Sequence, residues 1–363
     1  MLSQTADFAQ PELCSKFIQA IESHLQQPFH FMEVCGTHTM SIFQSGLRSI
    51  LPQGLVHVSG PGCPVCVTSQ GEIDLCLQLA ARPGVMLATF GDMLKVPGSR
   101  GQSLQGLQAE GSRIRVCYSP LQAVELARQN PELQVVFLAV GFETTAPTVA
   151  AAVQQAKVMG LANFKILSLH KLLPPALRQL VQDPGLSIQG FILPGHVSAI
   201  IGIEPYRFLS REFALPAVIS GFEPLDILQA LFMLLKMQDA GRPDIENQYT
   251  RVVREQGNPK ARQIMQEVFV SGPGRWRGLG EIPDSGLYLA PRYKEFEARE
   301  AFALEQVQEE ERSGCRCGEV LQGRISPRDC GLFGAACTPA SPVGPCMVST
   351  EGSCAAYYKY AWS

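Results

Sequence analysis

The chain has 363 residues, 46% hydrophobic and 17% charged, with a net charge of -3 at pH 7; that length suits two or three buried cores, and the charge balance leaves no basic footprint for nucleic acid or an anionic membrane. Its start, Met1-Leu2-Ser3-Gln4-Thr5-Ala6-Asp7-Phe8, lacks a basic region followed by an apolar stretch, and no apolar run approaches the roughly 18 residues of a membrane span. A cytoplasmic location is therefore expected, where clustered thiols bind metal or do redox work more often than they form structural disulfides.

From about residue 30 to 240, short apolar runs alternate with amphipathic stretches, the pattern of parallel strands joined by helical crossovers. Strands are predicted at 29–34, 55–58, 85–89, 113–117, 134–140, 164–169, 188–193 and 217–220, and helices at 71–81, 120–128, 146–159, 174–182 and 224–237. The continuous hydrophobicity of Val135-Val136-Phe137-Leu138-Ala139-Val140 suits a sheet covered on both faces. Two phrases recur just after strands: Gly141-Phe142-Glu143 with Gly221-Phe222-Glu223, and Pro61-Gly62-Cys63 with Pro194-Gly195-His196. Either the chain holds two related α/β domains or glycine simply makes the turn at each strand end.

The fold class expected is α/β: two similar open parallel-sheet domains over residues 1–130 and 131–240, then a smaller, mostly helical and irregular domain over 241–363. In that last part 247–270 reads as helix, 271–275 as a turn, and 293–312 as an acidic amphipathic helix whose Glu309-Glu310-Glu311 run is a solvated face. Ligand sites in open α/β sheets lie just beyond the carboxyl ends of the strands, which is where the chemistry-bearing residues fall.

Glu33-Val34-Cys35-Gly36-Thr37-His38-Thr39 follows the first strand and places a soft sulfur ligand and an imidazole three residues apart. Cys35 and His38 suit a transition metal, or a nucleophile activated by its neighbour, or a buried thiol beside a hydrogen-bonded histidine. Gly60-Pro61-Gly62-Cys63-Pro64-Val65-Cys66 follows the second strand, with Thr68 as cap of the helix beyond. A Cys-x2-Cys pair at a helix start favours thiol and disulfide exchange; the rival is half of a zinc site, for which no second pair exists at suitable spacing. The three thiols are expected at one edge of one sheet. Cys14, Cys76 and Cys117 read as core residues.

Six further cysteines, Cys315, Cys317, Cys330, Cys337, Cys346 and Cys354, lie among Gly, Pro and Ser in a stretch too broken for a helix or sheet to organise. Cys317, Cys330, Cys337 and Cys354 are separated by 12, 6 and 16 residues, with Cys346 inside the last interval. Four thiolates from irregular, Gly- and Pro-bearing loops suit a 4Fe-4S cluster better than zinc, which favours Cys-x2-Cys pairs. Any four of Cys317, Cys330, Cys337, Cys346 and Cys354 satisfy this; Cys315 is set aside because Cys-x-Cys rarely gives both thiols to one cubane.

These motifs in order resemble the HypD family of maturation factors for nickel–iron hydrogenases. The resemblance rests on Cys35-Gly36-Thr37-His38-Thr39, Pro61-Gly62-Cys63-Pro64-Val65-Cys66, Gly141-Phe142-Glu143-Thr144-Thr145-Ala146-Pro147, Pro194-Gly195-His196, and the tail from Cys317-Gly318 through Met347-Val348-Ser349 and Glu351-Gly352 to Cys354. It covers nearly the whole chain. It implies a scaffold, rather than a simple turnover enzyme, on which an iron with two cyanides and one carbon monoxide, Fe(CN)2CO, is assembled in complex with the small chaperone HypC. HypE, charged by HypF, would deliver the cyanide. Cys35 and a HypC cysteine would hold the iron with His38 beside it, Cys63 and Cys66 would cycle between dithiol and disulfide, and a tail 4Fe-4S cluster would supply electrons. Glu143 and His196 would position the iron or protonate intermediates, or else cap a helix or bridge domains. The rival readings are an iron–sulfur protein disulfide reductase with Cys35 as a third exchange thiol, and a zinc-stabilised interaction module.

Overall fold

In a computed structural model, which describes residues 11–305 and 314–360, the apolar runs form nine parallel strands: β1 (Phe29–Glu33), β2 (Leu55–Ser59), β3 (Val85–Thr89), β4 (Arg113–Val116), β5 (Gln134–Ala139), β6 (Phe164–Ser168), β7 (Gly190–Pro194), β8 (Ala217–Ser220) and β9 (Ile245–Asn247). They divide into an outer sheet of order β2-β1-β7-β8-β9 and an inner sheet of order β4-β3-β5-β6. Every pair in both sheets is parallel, and all residues of β3, β7 and β8 are buried. This is the doubly covered α/β arrangement expected from sequence.

The strands divide differently from the expected boundary near residue 130, which falls between β4 and β5 and so inside the inner sheet. β3 pairs with β5, from Val85 opposite Gln134 to Ala88 opposite Phe137. β1 meanwhile pairs with β7, Phe31 opposite Gly190. The inner unit is thus an insertion between β2 and β7 of the outer one. Hydrophobic patterning marks strands but carries no record of which strand a run pairs with, so an insertion reads as two consecutive domains. The two sheets share a topology: taken in chain order, both begin with the order 2-1-3-4. The recurring phrases do not map onto it, since Gly141-Phe142-Glu143 follows the third strand of its sheet and Gly221-Phe222-Glu223 the fourth of the other.

Past β9 the expectations need correcting. Helix occupies only Pro259–Val268, because Pro259 lacks an amide hydrogen and fits a first turn, where the Asn258 side chain caps it by accepting from Ala261 N. The expected turn at 271–275 lies inside strand β10 (Phe269–Trp276), which pairs antiparallel with β11 (Gly280–Leu289). A register shift between Gly272 and Gly274 takes Pro273 out of the ladder, so a Gly-Pro-Gly phrase is a bulge here. The hairpin turns instead at Arg277-Gly278-Leu279, with Gly278 at φ 81°. In place of one helix over 293–312 there are a 3-10 helix, Pro291–Phe296, and a single turn, Ala298–Ala301; the Glu309-Glu310-Glu311 run lies outside the described residues.

Among its described residues the cysteine-rich tail forms three short α-helices, Cys317–Leu321, Pro345–Val348 and Ser353–Tyr360, and a 3-10 helix, Pro327–Asp329. The last packs on helix Gly36–Gln44, where Tyr357 meets Phe43 with ring centroids 4.8 Å apart. The tail is therefore seated on the helix that begins at Cys35.

A buried ion pair ties the inner sheet to the crossover that leads into it. Lys171, just past β6, places Nζ 2.7 and 2.9 Å from the two carboxylate oxygens of Glu72 in helix Gln70–Ala80. Removing one partner strands the other charge in the interior. Lys171→Met should therefore destabilise the fold by about 3–5 kcal/mol, and a Lys171→Met, Glu72→Gln double variant should recover most of that loss in chemical unfolding curves.

Candidate functional site

Residues beyond the carboxyl ends of the strands converge on one cleft. Strand order reverses between β1 and β7 in the outer sheet and between β3 and β5 in the inner one, and such reversals leave a crevice. The two crevices open on each other, forming a cleft of about 310 Å³. The outer sheet lines it with Cys35, Thr37, Gly62, Pro64, Val65, His196 and Val197, the inner sheet with Phe90, Asp92, Met93 and the segment Val140-Gly141-Phe142 with Thr144 and Thr145, and the tail with Glu351.

Cys35 is the N-cap residue of helix Gly36–Gln44. Its turn is shaped by Glu33, a fully buried carboxylate that accepts from Cys35 N at 2.9 Å and Thr39 Oγ1 at 2.6 Å. Gly62 passes so close that a Cβ there would stand 2.1 Å from Cys35 N, and its carbonyl accepts from Gly36 N at 3.0 Å. The loops after β1 and β2 are thus in backbone contact, and the three amino-terminal thiols do share one sheet edge. Burial pushes the Cys35 thiol up to about 12, reinforced by Glu351 and Glu33 and opposed by the amides of His38 and Thr37.

His38 stands behind this position rather than in the cleft lining. Its Nε2 donates to the Gly221 carbonyl at 2.8 Å, so the fully buried ring keeps a lone pair on Nδ1, which has no partner among the described residues. Burial lowers its pKa and keeps the ring neutral. Phe222 stacks with two imidazoles, His38 at 4.7 Å and the cleft residue His196 at 3.9 Å. The Gly221-Phe222 phrase therefore supplies the wall that orients both histidines.

Cys63 and Cys66 are joined as a disulfide. Cys63 caps the short helix Pro64–Val67 and its sulfur accepts from Cys66 N at 3.2 Å. Thr68 does not cap the following helix: its hydroxyl donates to Pro64 O, and Ser69 forms the capping box with Glu72 instead.

Glu143 is buried with Oε1 accepting from Leu173 N at 3.0 Å and Oε2 without a partner among the described residues. Sequence reasoning missed the cleft residues Phe90 and Asp92 and two buried residues outside the cleft lining, Glu33 and Tyr206, the last a phenol that feels both Glu143 and Cys35. A carboxylate closing an otherwise apolar strand was a signal for Glu33; nothing local marked the others. Glu351 reaches the cleft from the tail, accepting from Thr37 Oγ1 at 2.8 Å.

All six tail cysteines line one small apolar pocket with Val320, Leu332, Phe333 and Met347. Cys317 and Cys346 bring their sulfurs to 2.6 Å, with Cys315 against Cys317 and Cys354 against Cys346. Neighbouring Cys315 and Cys346, with Arg277 beyond them, hold Cys317 well below the ordinary thiol range. Val343 N donates to Cys337 Sγ at 3.3 Å. Among the described residues no group of three or more His, Cys, Asp or Glu side chains is disposed to hold a metal ion. A thiol-only donor set, an apolar wall and an amide aimed at sulfur fit the chemistry of an iron–sulfur cluster.

No helix among the described residues is long and apolar enough to cross a membrane. The family model HypD, described as "Hydrogenase formation hypA family", matches residues 12–361. The hydrogenase maturation factor HypD of Rhodobacter capsulatus is 46% identical over 95% of this chain and 93% of its own length. That of Escherichia coli (strain K12) is 45% identical over 98% and 97%, and that of Azotobacter vinelandii 45% identical over 94% and 92%.

Burial raises the Glu143 carboxyl to about 7. The folded chain then holds a proton that the unfolded chain loses near pH 4.3, so this group subtracts stability as pH rises from about 5 to 7, and in full above that. Glu143→Gln should flatten stability against pH in this window, gaining on the order of 3 kcal/mol at pH 8 in unfolding curves taken across it.

Proposed function

The chain belongs to the HypD family of hydrogenase maturation factors, and from that premise we propose that it is the scaffold on which an iron bearing two cyanides and one carbon monoxide is assembled. A HypC-type small chaperone would share the iron, and a HypE-type donor, charged by a HypF-type protein, would bring cyanide. The iron is cargo, held by Cys35 and a cysteine of the chaperone.

The observation that carries this reading is Cys35 on the wall of a cleft where both sheets reverse their strand order. A thiol raised to about 12 is neutral at pH 7 and becomes a thiolate when a cation offsets its lost hydration. Such a site is inert until a metal arrives. Low-spin iron with strong-field diatomic ligands favours a soft thiolate. His38 offers a lone pair at Nδ1, and His196 stands in the cleft lining, stacked on the same Phe222 ring.

Cys63 and Cys66 would serve as the redox pair. Opening their S–S bond to two thiols takes up two electrons and two protons. Four of Cys317, Cys330, Cys337, Cys346 and Cys354 would hold a 4Fe-4S cluster, which supplies electrons one at a time when bound. The chain's part at that pocket is an apolar wall that keeps water from the sulfurs and the Val343 amide that fixes Cys337.

Infrared spectra of the anaerobically isolated complex with the small chaperone test the scaffold. Cyanide and carbon monoxide bands are expected in the wild type and lost in Cys35→Ala; bands that persist in the variant would sink the assignment of Cys35. The rival disulfide reductase predicts no such bands in any active preparation.

Cys63→Ala leaves a single thiol in place of the pair. Hydrogenase activity in cells carrying this variant should fall to background, and full maturation would overturn the redox role. The isolated wild-type chain should carry about four irons and four sulfides.

A further inference from the structure

The β10–β11 hairpin gives no residue to the cleft, yet its turn touches both sulfur sites. On one side Trp276 forms an antiparallel bridge with Thr68, and Arg277 N donates to Val67 O at 2.8 Å. The Arg277 guanidinium continues the contact, donating from Nε to Thr68 O at 3.1 Å and from both terminal nitrogens to Gln70 Oε1 at 3.3 Å. Val67 ends the short helix that starts at the Cys63–Cys66 disulfide. On the other side Gly278 lies against Gly318, the residue after Cys317: a Cβ on Gly278 would stand 2.5 Å from Gly318 Cα. Gln322 Nε2 donates to the Gly278 carbonyl as well. The turn is wedged between the disulfide helix and the Cys317 helix.

Arg277 is half-buried, and all its hydrogen-bond acceptors are neutral. Among the described residues it forms no ion pair, whereas Arg316 and Arg324 of the tail are each matched to a carboxylate, Glu319 at 2.6 Å and Asp183 at 2.7 Å. A half-dehydrated cation without a counter-charge is costly unless negative charge lies close by. Thiolates around a cluster are such a charge, and the turn that carries Arg277 lies against Gly318, the neighbour of Cys317.

We propose that Arg277 is a positioning residue for electron supply: its uncompensated charge raises the reduction potential of a cluster held in the tail pocket, while its hydrogen bonds pin the disulfide helix alongside. This rests on the cluster reading given above. A fixed positive charge stabilises the form with the added electron, so removing it makes the cluster harder to reduce.

The test uses the full chain, purified anaerobically, as wild type, Arg277→Gln, Arg277→Lys and Gln70→Glu. Iron and sulfide are counted, and the cluster is then titrated potentiometrically with electron paramagnetic resonance detection. Arg277→Gln should shift the midpoint to lower potential, and Arg277→Lys should stay near the wild type. Gln70→Glu neutralises the guanidinium in place and should shift it as Arg277→Gln does. If Arg277→Gln fails to fold or to hold the cluster, Gln70→Glu decides alone. Unshifted midpoints in cluster-bearing variants overturn the role of Arg277 and leave the cluster standing. A wild-type chain without iron and sulfide overturns the cluster reading, and the role of Arg277 with it.

Discussion

Two backbone segments in contact, at Cys35 and Gly62, underlie the rest of the site. The carbonyl of Gly62 accepts from Gly36 N, and any side chain at residue 62 would collide with the Cys35 backbone. That approach brings the loops after two neighbouring parallel strands to one point. It puts the disulfide helix and the Cys35 thiol at the same sheet edge. Glu33 then fixes the turn by accepting from both the start and the fourth helical residue of the Cys35 helix.

The insertion of one α/β unit into another follows the same logic. Each sheet alone offers a shallow crevice where its strand order reverses. Leaving the outer sheet after β2 and returning at β7 makes the two crevices face each other, which yields a cleft with walls from independent sheets. The tail closes the arrangement from a third direction, placing Glu351 beside Thr37 and the thiol pocket behind the disulfide helix. Helix Pro345–Val348 packs against helix Pro64–Val67, so the sulfur sites, far apart in sequence, share one apolar core.

Much of the fold was legible because buried parallel strands are near-continuous apolar runs and their crossovers carry a helical period. All eight strands read from the sequence are present within a residue or two. Apart from the domain boundary, which depended on long-range strand pairing, the failures are local and share a cause. Pro259 inside an apparent helix, Gly272-Pro273-Gly274 inside a strand and Ser69 in place of Thr68 as a cap each depended on geometry that tertiary packing selects among several locally allowed states. β10 and β11 escaped notice because their pattern is broken by a bulge.

The sequence by itself determined the chemistry: Cys35, the Cys63 and Cys66 pair and the carboxyl-terminal cysteines are thiols whatever the fold, and their motifs sit at strand ends that apolar patterning places unaided. Only the tertiary structure decided which of them meet. It set His38 outside the cleft lining and His196 within it, both stacked on Phe222. It brought Glu351 and Arg277 to sulfur sites far from them in the chain. Strand pairing and side-chain burial are long-range properties, and a linear pattern records the period of an element without recording its neighbour.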